Sequence, residues 1–191
     1  MLVFKIAFWI NTVLQVVIRM PFGMSTRSRK KAEQHVSLTE NVLLTFLTIT
    51  TGILPLIYSV TNWLDFANYV LPTWMGWMGV LIMACSLLVF WRSHYDLKAN
   101  WSPSLELYEE HTLITNGIYR HIRHPMYASL LIANIAQILL IQNWIAGPIS
   151  IIMFILFYTF RSQAEEKMMT EKFGDQYREY KRTTGGILPK L

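Results

Sequence analysis

Cysteine is almost absent: the one thiol among 191 residues, Cys85, lies inside an apolar run. A lone cysteine builds neither a disulfide framework nor a thiolate metal cluster, and this one is expected to be a small buried packing residue. Charge is scarce too, at 15% of residues, with no acidic or basic low-complexity tail and no internal repeat. Several enzyme signatures are missing. No G-x-G-x-x-G, G-x-x-x-x-G-K-[ST] or H-E-x-x-H occurs, which leaves a Rossmann fold, a P-loop and a zincin without support. The lack of G-x-S-x-G removes the nucleophile elbow of a serine hydrolase. His121 and His124 stand three apart without a carboxylate partner at helical spacing, so no metal is expected. The first apolar run is not followed by a small-residue cleavage site, so it reads as a retained helix rather than a signal peptide.

What the chain does have is apolar length. Hydrophobic residues make up 53% of it, and the mean hydropathy is +0.31. This content is gathered into blocks, which points to a bilayer rather than a soluble core. Five stretches qualify as membrane helices: Leu2–Ile18, Val42–Val60, Trp74–Trp91, Met126–Ile141 and Trp144–Phe160. Aromatic residues such as Trp63, Tyr69, Trp74, Trp91, Trp144 and Tyr158 stand near their ends, at headgroup level. Gly52 and Pro55 predict a kink in the second helix. Only Gln142 and Asn143 separate the fourth and fifth, which predicts a tight antiparallel hairpin. The expected fold is all-α: a single multi-pass integral-membrane domain, with three helices in residues 1–91 and the chemically informative half in 92–191.

The net charge of +5 is explained by topology rather than by nucleic acid. Sixteen of the seventeen Lys and Arg residues fall between helices one and two, between three and four, or after helix five; Lys5 is the exception. The Trp63–Thr73 loop and the Gln142–Asn143 turn have none. Under the positive-inside rule the charged segments face the cytosol and the N-terminus faces outward. Arginine-rich loops there are also suited to anionic lipid headgroups. Residues 92–127 and 161–191 therefore meet on one face of the membrane, flanking the same helical hairpin.

Those two segments carry the polar side chains of interest. In "GIYRHIRHPMY", Pro125 suits the first turn of a helix because it has no N–H to leave unsatisfied. The helix start favours carboxylates and phosphates, and Arg123 adds to that preference. Taken singly, Arg120 and Arg123 read foremost as headgroup contacts and Tyr119 and Tyr127 as belt aromatics. The C-terminal segment reads as two amphipathic helices. The first extends the fifth membrane helix to about Phe173 and stops at Gly174; the second is capped by Asp175 and ends before Gly185. Arg161 and Glu165 share a face, as an interfacial pair on spacing alone, with Glu166 rotated by about 100°. Tyr177 and Tyr180 are expected to pack the last helix onto its neighbour. Asn134 and Gln137 share a face within the membrane and are expected to bridge helices.

Taken in order, "HTLITNGIYRHIRHPMY", a hydrophobic hairpin and "RSQAEEKMMTEKFGDQYREYKRTTGGILP" resemble the isoprenylcysteine carboxyl methyltransferase family, within the wider phospholipid methyltransferase group. The resemblance rests on R-H-P-x-Y, E-E and F-G-x-x-Y-x-x-Y and spans Trp101–Pro189. It implies a membrane methyltransferase that uses S-adenosylmethionine without a Rossmann domain. Carried over, the cofactor positions are His111, Thr112, Leu113, Ile114, Tyr119, His124, Pro125, Met126, Tyr127 and Glu165, and Arg161 is the catalytic residue that binds the methyl acceptor. The implied partner is a lipophilic acceptor, foremost a prenylcysteine-like carboxylate. Three alternatives stay open: a phospholipid headgroup N-methyltransferase, an NADPH-dependent sterol-type reductase and a non-catalytic membrane scaffold.

Overall fold

The computed structural model describes residues 2–26, 31–34, 38–100, 106–108 and 112–190. In chain order its elements are α1 (Leu2–Thr26), β1 (Lys31–Gln34), α2 (Leu38–Thr48), a π-helical turn (Ile49–Ile53), α3 (Leu54–Val60), α4 (Thr73–Leu97), β2 (Glu106–Tyr108), α5 (Pro125–Leu140), α6 (Ile149–Phe173) and α7 (Asp175–Thr183). β1 and β2 form a short antiparallel pair, with Lys31 opposite Tyr108 and Gln34 opposite Glu106. Apart from two isolated β-bridges, the other regular elements among the described residues are helical, and the chain is a multi-pass integral membrane protein.

Among the described residues, three segments are long and apolar enough to cross a bilayer: Leu2–Phe22, Leu38–Val60 and Thr73–Leu97. Five equivalent spans were expected, and here the structure differs. α5 has 16 residues, about 24 Å at 1.5 Å per residue, short of the roughly 30 Å hydrocarbon core. α6 is apolar only as far as Phe160 and continues as the charged helix that runs to Phe173. The hairpin between them is also wider than two residues. Residues 141–148 form an irregular turn wrapped around Asn143, whose Oδ1 accepts the N–H groups of Ile145 and Ala146, both at 3.0 Å. Its Nδ2 donates to the Leu64 carbonyl (2.6 Å) and to Asn68 Oδ1 (3.0 Å), tying this turn to the α3–α4 loop.

Helix packing follows from small residues at helical spacing. On α4, Gly76, Gly79, Met83, Ser86, Phe90 and Ser93 form one buried stripe, and small side chains let neighbouring backbones approach closely in a membrane. Gly76 receives the Phe4 ring and Gly79 abuts Leu139 and Leu140. Ser86 Oγ donates to the Ser129 carbonyl of α5 at 3.0 Å. α1 lies against α4 through Phe4, Phe8 and Asn11, whose Nδ2 donates to the Met83 carbonyl (3.0 Å). The outward faces of α1, α2 and α4 carry exposed Leu, Ile, Val and Trp, as expected against lipid. Cys85 is on that exposed side of α4 and not in the core: the apolar run around it is explained by lipid contact.

The kink foreseen at Gly52 and Pro55 takes the form of the π-helical turn Ile49–Ile53. Backbone groups released there need partners inside a bilayer. Gln137 supplies one: its Nε2 donates to the Thr50 carbonyl (3.0 Å) and to the Ala146 carbonyl (2.7 Å), so this amide bridges helices as expected. Asn134 instead donates within its own helix, to Leu130.

Candidate functional site

The C-terminal end of α4, the start of α5, the far half of α6 and α7 converge on a cavity of about 390 Å³ that reaches between α1 and α2. That volume suits a small organic molecule. The walls are built locally. In the last turn of α4, Asp96 accepts the Ile118 N–H at 2.7 Å and Arg92 Nε at 2.9 Å. Gly117 has φ +59, and a Cβ there would stand 2.2 Å from Asp96 Oδ2, so this turn tolerates only glycine. Asn100 fixes the next stretch, accepting the Thr112 N–H (2.9 Å) and donating to Thr112 Oγ1 (3.1 Å).

Pro125 opens α5 at its first helical position. The N–H groups of Met126 and Tyr127 lack intrahelical acceptors by helix geometry, and both residues line the cavity. Thr112, Leu113, Ile114, Tyr119, His124 and Pro125 line it as well, with Arg161 and Glu165 from α6. The structure thus brings nearly all the anticipated site residues together around one space. His111 lies outside the described residues.

Within this wall a chain of polar contacts centres on Tyr127. Its hydroxyl donates to Glu165 Oε2 (2.8 Å) and accepts from Arg161 Nε (2.8 Å). Arg161 Nη1 in turn donates to Glu40 Oε1, in the first turn of α2. Arg161 and Glu165 therefore communicate through Tyr127. Burial holds the Tyr119 hydroxyl well above its ordinary pKa, with the nearby Glu165 charge as the next cause, so it remains a neutral donor. Burial also pushes Tyr180 up to about 12.

A second cluster explains how the wall is held. Glu166 Oε1 accepts from Arg123 Nη2 (2.7 Å) and Nε (3.2 Å) and faces His124 Nε2 at 3.2 Å, while its Oε2 pairs with Lys181 Nζ at 2.6 Å. The His124 contact leads, and those with Lys181 and Arg123 follow, in holding the Glu166 carboxyl well below the carboxylate range despite its partial burial. Arg123 also donates to the carbonyls of Lys181 and Thr184. Its N–H and that of His124 bond the carbonyls of Gly185 (2.8 Å) and Gly186 (3.1 Å). Arg123 thus docks the C-terminal segment while also lining the cavity. Tyr177 and Tyr180 are buried beneath α7, and Tyr180 donates to the Tyr119 carbonyl, as the packing role requires. α6 ends at Phe173 with Gly174 at φ +55. Gly174, rather than Asp175, takes the N-cap place of α7, and the Asp175 carboxylate pairs with Arg178.

Glu40, Asp96, Asn100 and Glu166 were missed in the sequence, as was His94, which lines the cavity and places Nδ1 2.9 Å from the Phe90 carbonyl. A charged residue in the first turn of a membrane helix was the available signal for Glu40. No group of three or more His, Cys, Asp or Glu suited to a metal occurs among the described residues.

Residues 77–171 match the model of the isoprenylcysteine carboxyl methyltransferase (ICMT) family. The protein-S-isoprenylcysteine O-methyltransferase of Dictyostelium discoideum is 28% identical over 123 residues, covering 61% of this chain and 50% of that protein. The Homo sapiens enzyme of the same name is 26% identical over 140 residues, 69% of this chain and 49% of its own length. A methanethiol S-methyltransferase from Pseudomonas deceptionensis is 30% identical over 123 residues, 62% and 44% of the two chains. The chain spans about half the length of these curated relatives. In fold it is similar to a solved eukaryotic intramembrane Ras methyltransferase, ICMT, with TM-score 0.54 and 20% identity over 81% of this chain and 53% of that one.

Proposed function

We propose, because residues 77–171 match the isoprenylcysteine carboxyl methyltransferase family model and the chain is similar to enzymes of that name, that it is a membrane methyltransferase using S-adenosylmethionine to methylate a lipophilic acceptor at the membrane–cytosol boundary. The favoured acceptor is a prenylcysteine-like carboxylate. The observation that carries this reading is the contact chain from Glu165 through Tyr127 to Arg161 on the cavity wall, beside the free N–H end of α5.

The residues present fit the cofactor. The start of α5, at Met126 and Tyr127, suits a carboxylate. Glu165 suits an ammonium or ribose hydroxyls. Tyr119, Tyr177 and Met168 offer aromatic and apolar cover for adenine, with Thr112, Leu113, Ile114, His124 and Pro125 completing the wall. When bound, S-adenosylmethionine would supply a methyl group on a sulfonium sulfur, open to displacement by an acceptor carboxylate oxygen with the carbon–sulfur electron pair left on sulfur. A carboxylate is already ionised near neutral pH, so the protein has no proton to remove. Its tasks are to orient the two reactants and exclude water. Arg161 anchors the acceptor carboxylate, and Tyr127 fixes the Arg161 fork relative to Glu165.

The distribution of Lys and Arg supports an outward N-terminus, with residues 92–127 and the C-terminal segment in the cytosol. A soluble cofactor then enters from water and the acceptor from the bilayer. A second reading, a thiol acceptor, is favoured by two observations: Arg161 already carries the Glu40 carboxylate, and the chain is similar to a methanethiol S-methyltransferase. Purified protein should be stabilised against heat by S-adenosylhomocysteine and not by NADP. The reverse result would overturn the methyltransferase reading, and methyl transfer into a thiol but never into a prenylcysteine would select the second acceptor.

A further inference from the structure

We propose that Glu40 is a specificity-determining residue: its carboxylate occupies the place on Arg161 that an acceptor carboxylate needs, so an acceptor engages only by displacing it. This rests on the carboxyl-methyltransferase reading above. Glu40 belongs to the first turn of α2, 121 positions before its partner. A glutamate at such a place ordinarily turns to headgroup water, where the helix N-terminus favours it. Here the Glu40 and Arg161 side chains are only 8% and 10% exposed. Burial of a carboxylate is unfavourable without a charged, hydrogen-bonding partner, and Arg161 provides one.

The arrangement of the guanidinium makes the two carboxylates competitors. Arg161 Nε is given to the Tyr127 hydroxyl at 2.8 Å. A bidentate carboxylate must then use the terminal nitrogens, and Glu40 holds Nη1. A small anion arriving from water therefore exchanges one ion pair for another and gains little. An acceptor with a lipid tail has a further source of binding free energy in apolar burial. Glu40, Leu44 and Leu47 lie at i, i+4 and i+7 on one face of α2, and Leu44 and Leu47 line the cavity. The helix that presents the competing carboxylate also presents apolar wall, so carboxylate recognition becomes conditional on the tail.

The test compares wild type with Glu40→Gln in lipid nanodiscs, using an N-acetylated S-prenylcysteine as acceptor and its carboxamide as a non-reacting analogue. If Glu40 holds Arg161 about nine-tenths of the time, its removal lowers the acceptor KM by about tenfold. Affinity for S-adenosylhomocysteine and inhibition by the carboxamide should not change. An unchanged or raised KM in Glu40→Gln would overturn the inference and leave the methyltransferase reading standing. If wild type binds S-adenosylhomocysteine yet neither protein methylates any prenylcysteine, the acceptor reading fails and takes this inference with it. Should Glu40→Gln fold poorly, Glu40→Ala with acetate serves the same purpose. Acetate should raise the melting temperature of Glu40→Ala and not that of wild type; no effect on Glu40→Ala would refute the proposal.

Discussion

Glu166→Gln should loosen the C-terminal segment from the start of α5, and the size of the effect can be worked from its contacts. The Glu166 carboxylate meets Arg123, His124 and Lys181 at 2.6–3.2 Å. Lys181 is 53% exposed, so that pair adds little, within about 1 kcal/mol. Arg123 is 11% exposed and Glu166 17%, and breaking a shielded pair from one side costs about 3–5 kcal/mol. Glutamine keeps an acceptor oxygen, which brings the expected loss to about 2–3 kcal/mol. That corresponds to roughly a thirtyfold or greater rise in the opened population. Hydrogen exchange at the amides of Arg123 and His124, which bond the Gly185 and Gly186 carbonyls, reads this opening directly. The pH dependence has a definite sign. The folded carboxyl pKa is depressed, so the stabilisation is fully present above the ordinary glutamate value of about 4.3 and is lost as pH falls below it. Wild type should therefore lose protection progressively below about pH 4.3, and Glu166→Gln should lack that component. Equal exchange in the two proteins at neutral pH would refute the assignment of Glu166 as the anchor of this wall.

Other substitutions separate the roles assigned within the cavity. Arg161→Ala should leave S-adenosylhomocysteine affinity intact and weaken acceptor use, whereas Glu165→Ala should weaken cofactor affinity by about tenfold or more, as loss of a charged hydrogen bond implies; isothermal titration and acceptor kinetics distinguish the two. Gly117→Ala places a Cβ against Asp96 in a left-handed backbone conformation and should cost about 1–3 kcal/mol. A melting temperature equal to wild type would mean that the turn reshapes freely.

The legible parts of the fold were those set by local pattern. Hydropathy located the helices, and the α6–α7 break follows from Gly174 alone, which adopts positive φ where the sequence suggests a C-cap. Lengths were less accessible. Apolar run length does not reveal that residues 144–148 are irregular, because their N–H groups bond Asn143 and the distant Ala67 carbonyl rather than helix acceptors. Cys85 was misplaced for a related reason: in a bilayer an apolar neighbourhood in sequence does not distinguish a lipid-facing position from a core one.

The site divides along the same line. R-H-P-x-Y and Arg161 with Glu165, which spacing alone reads as headgroup and interfacial contacts, come together as a set through the family resemblance of the ordered motifs. Glu40 carries a signal as the one acidic residue of the first turn of α2, but its direction is not legible, since its meaning depends on a contact 121 residues away. Glu165 and Glu166 show how close the two cases lie. They are adjacent in sequence, and the roughly 100° between them sends one toward Tyr127 and the cavity and the other toward Arg123, His124 and α7. One carboxylate faces the site's chemistry while its neighbour holds the wall that gives the first something to face. Losing either would impair cofactor binding, but only loss of Glu166 would release the Gly185 and Gly186 carbonyls from the start of α5.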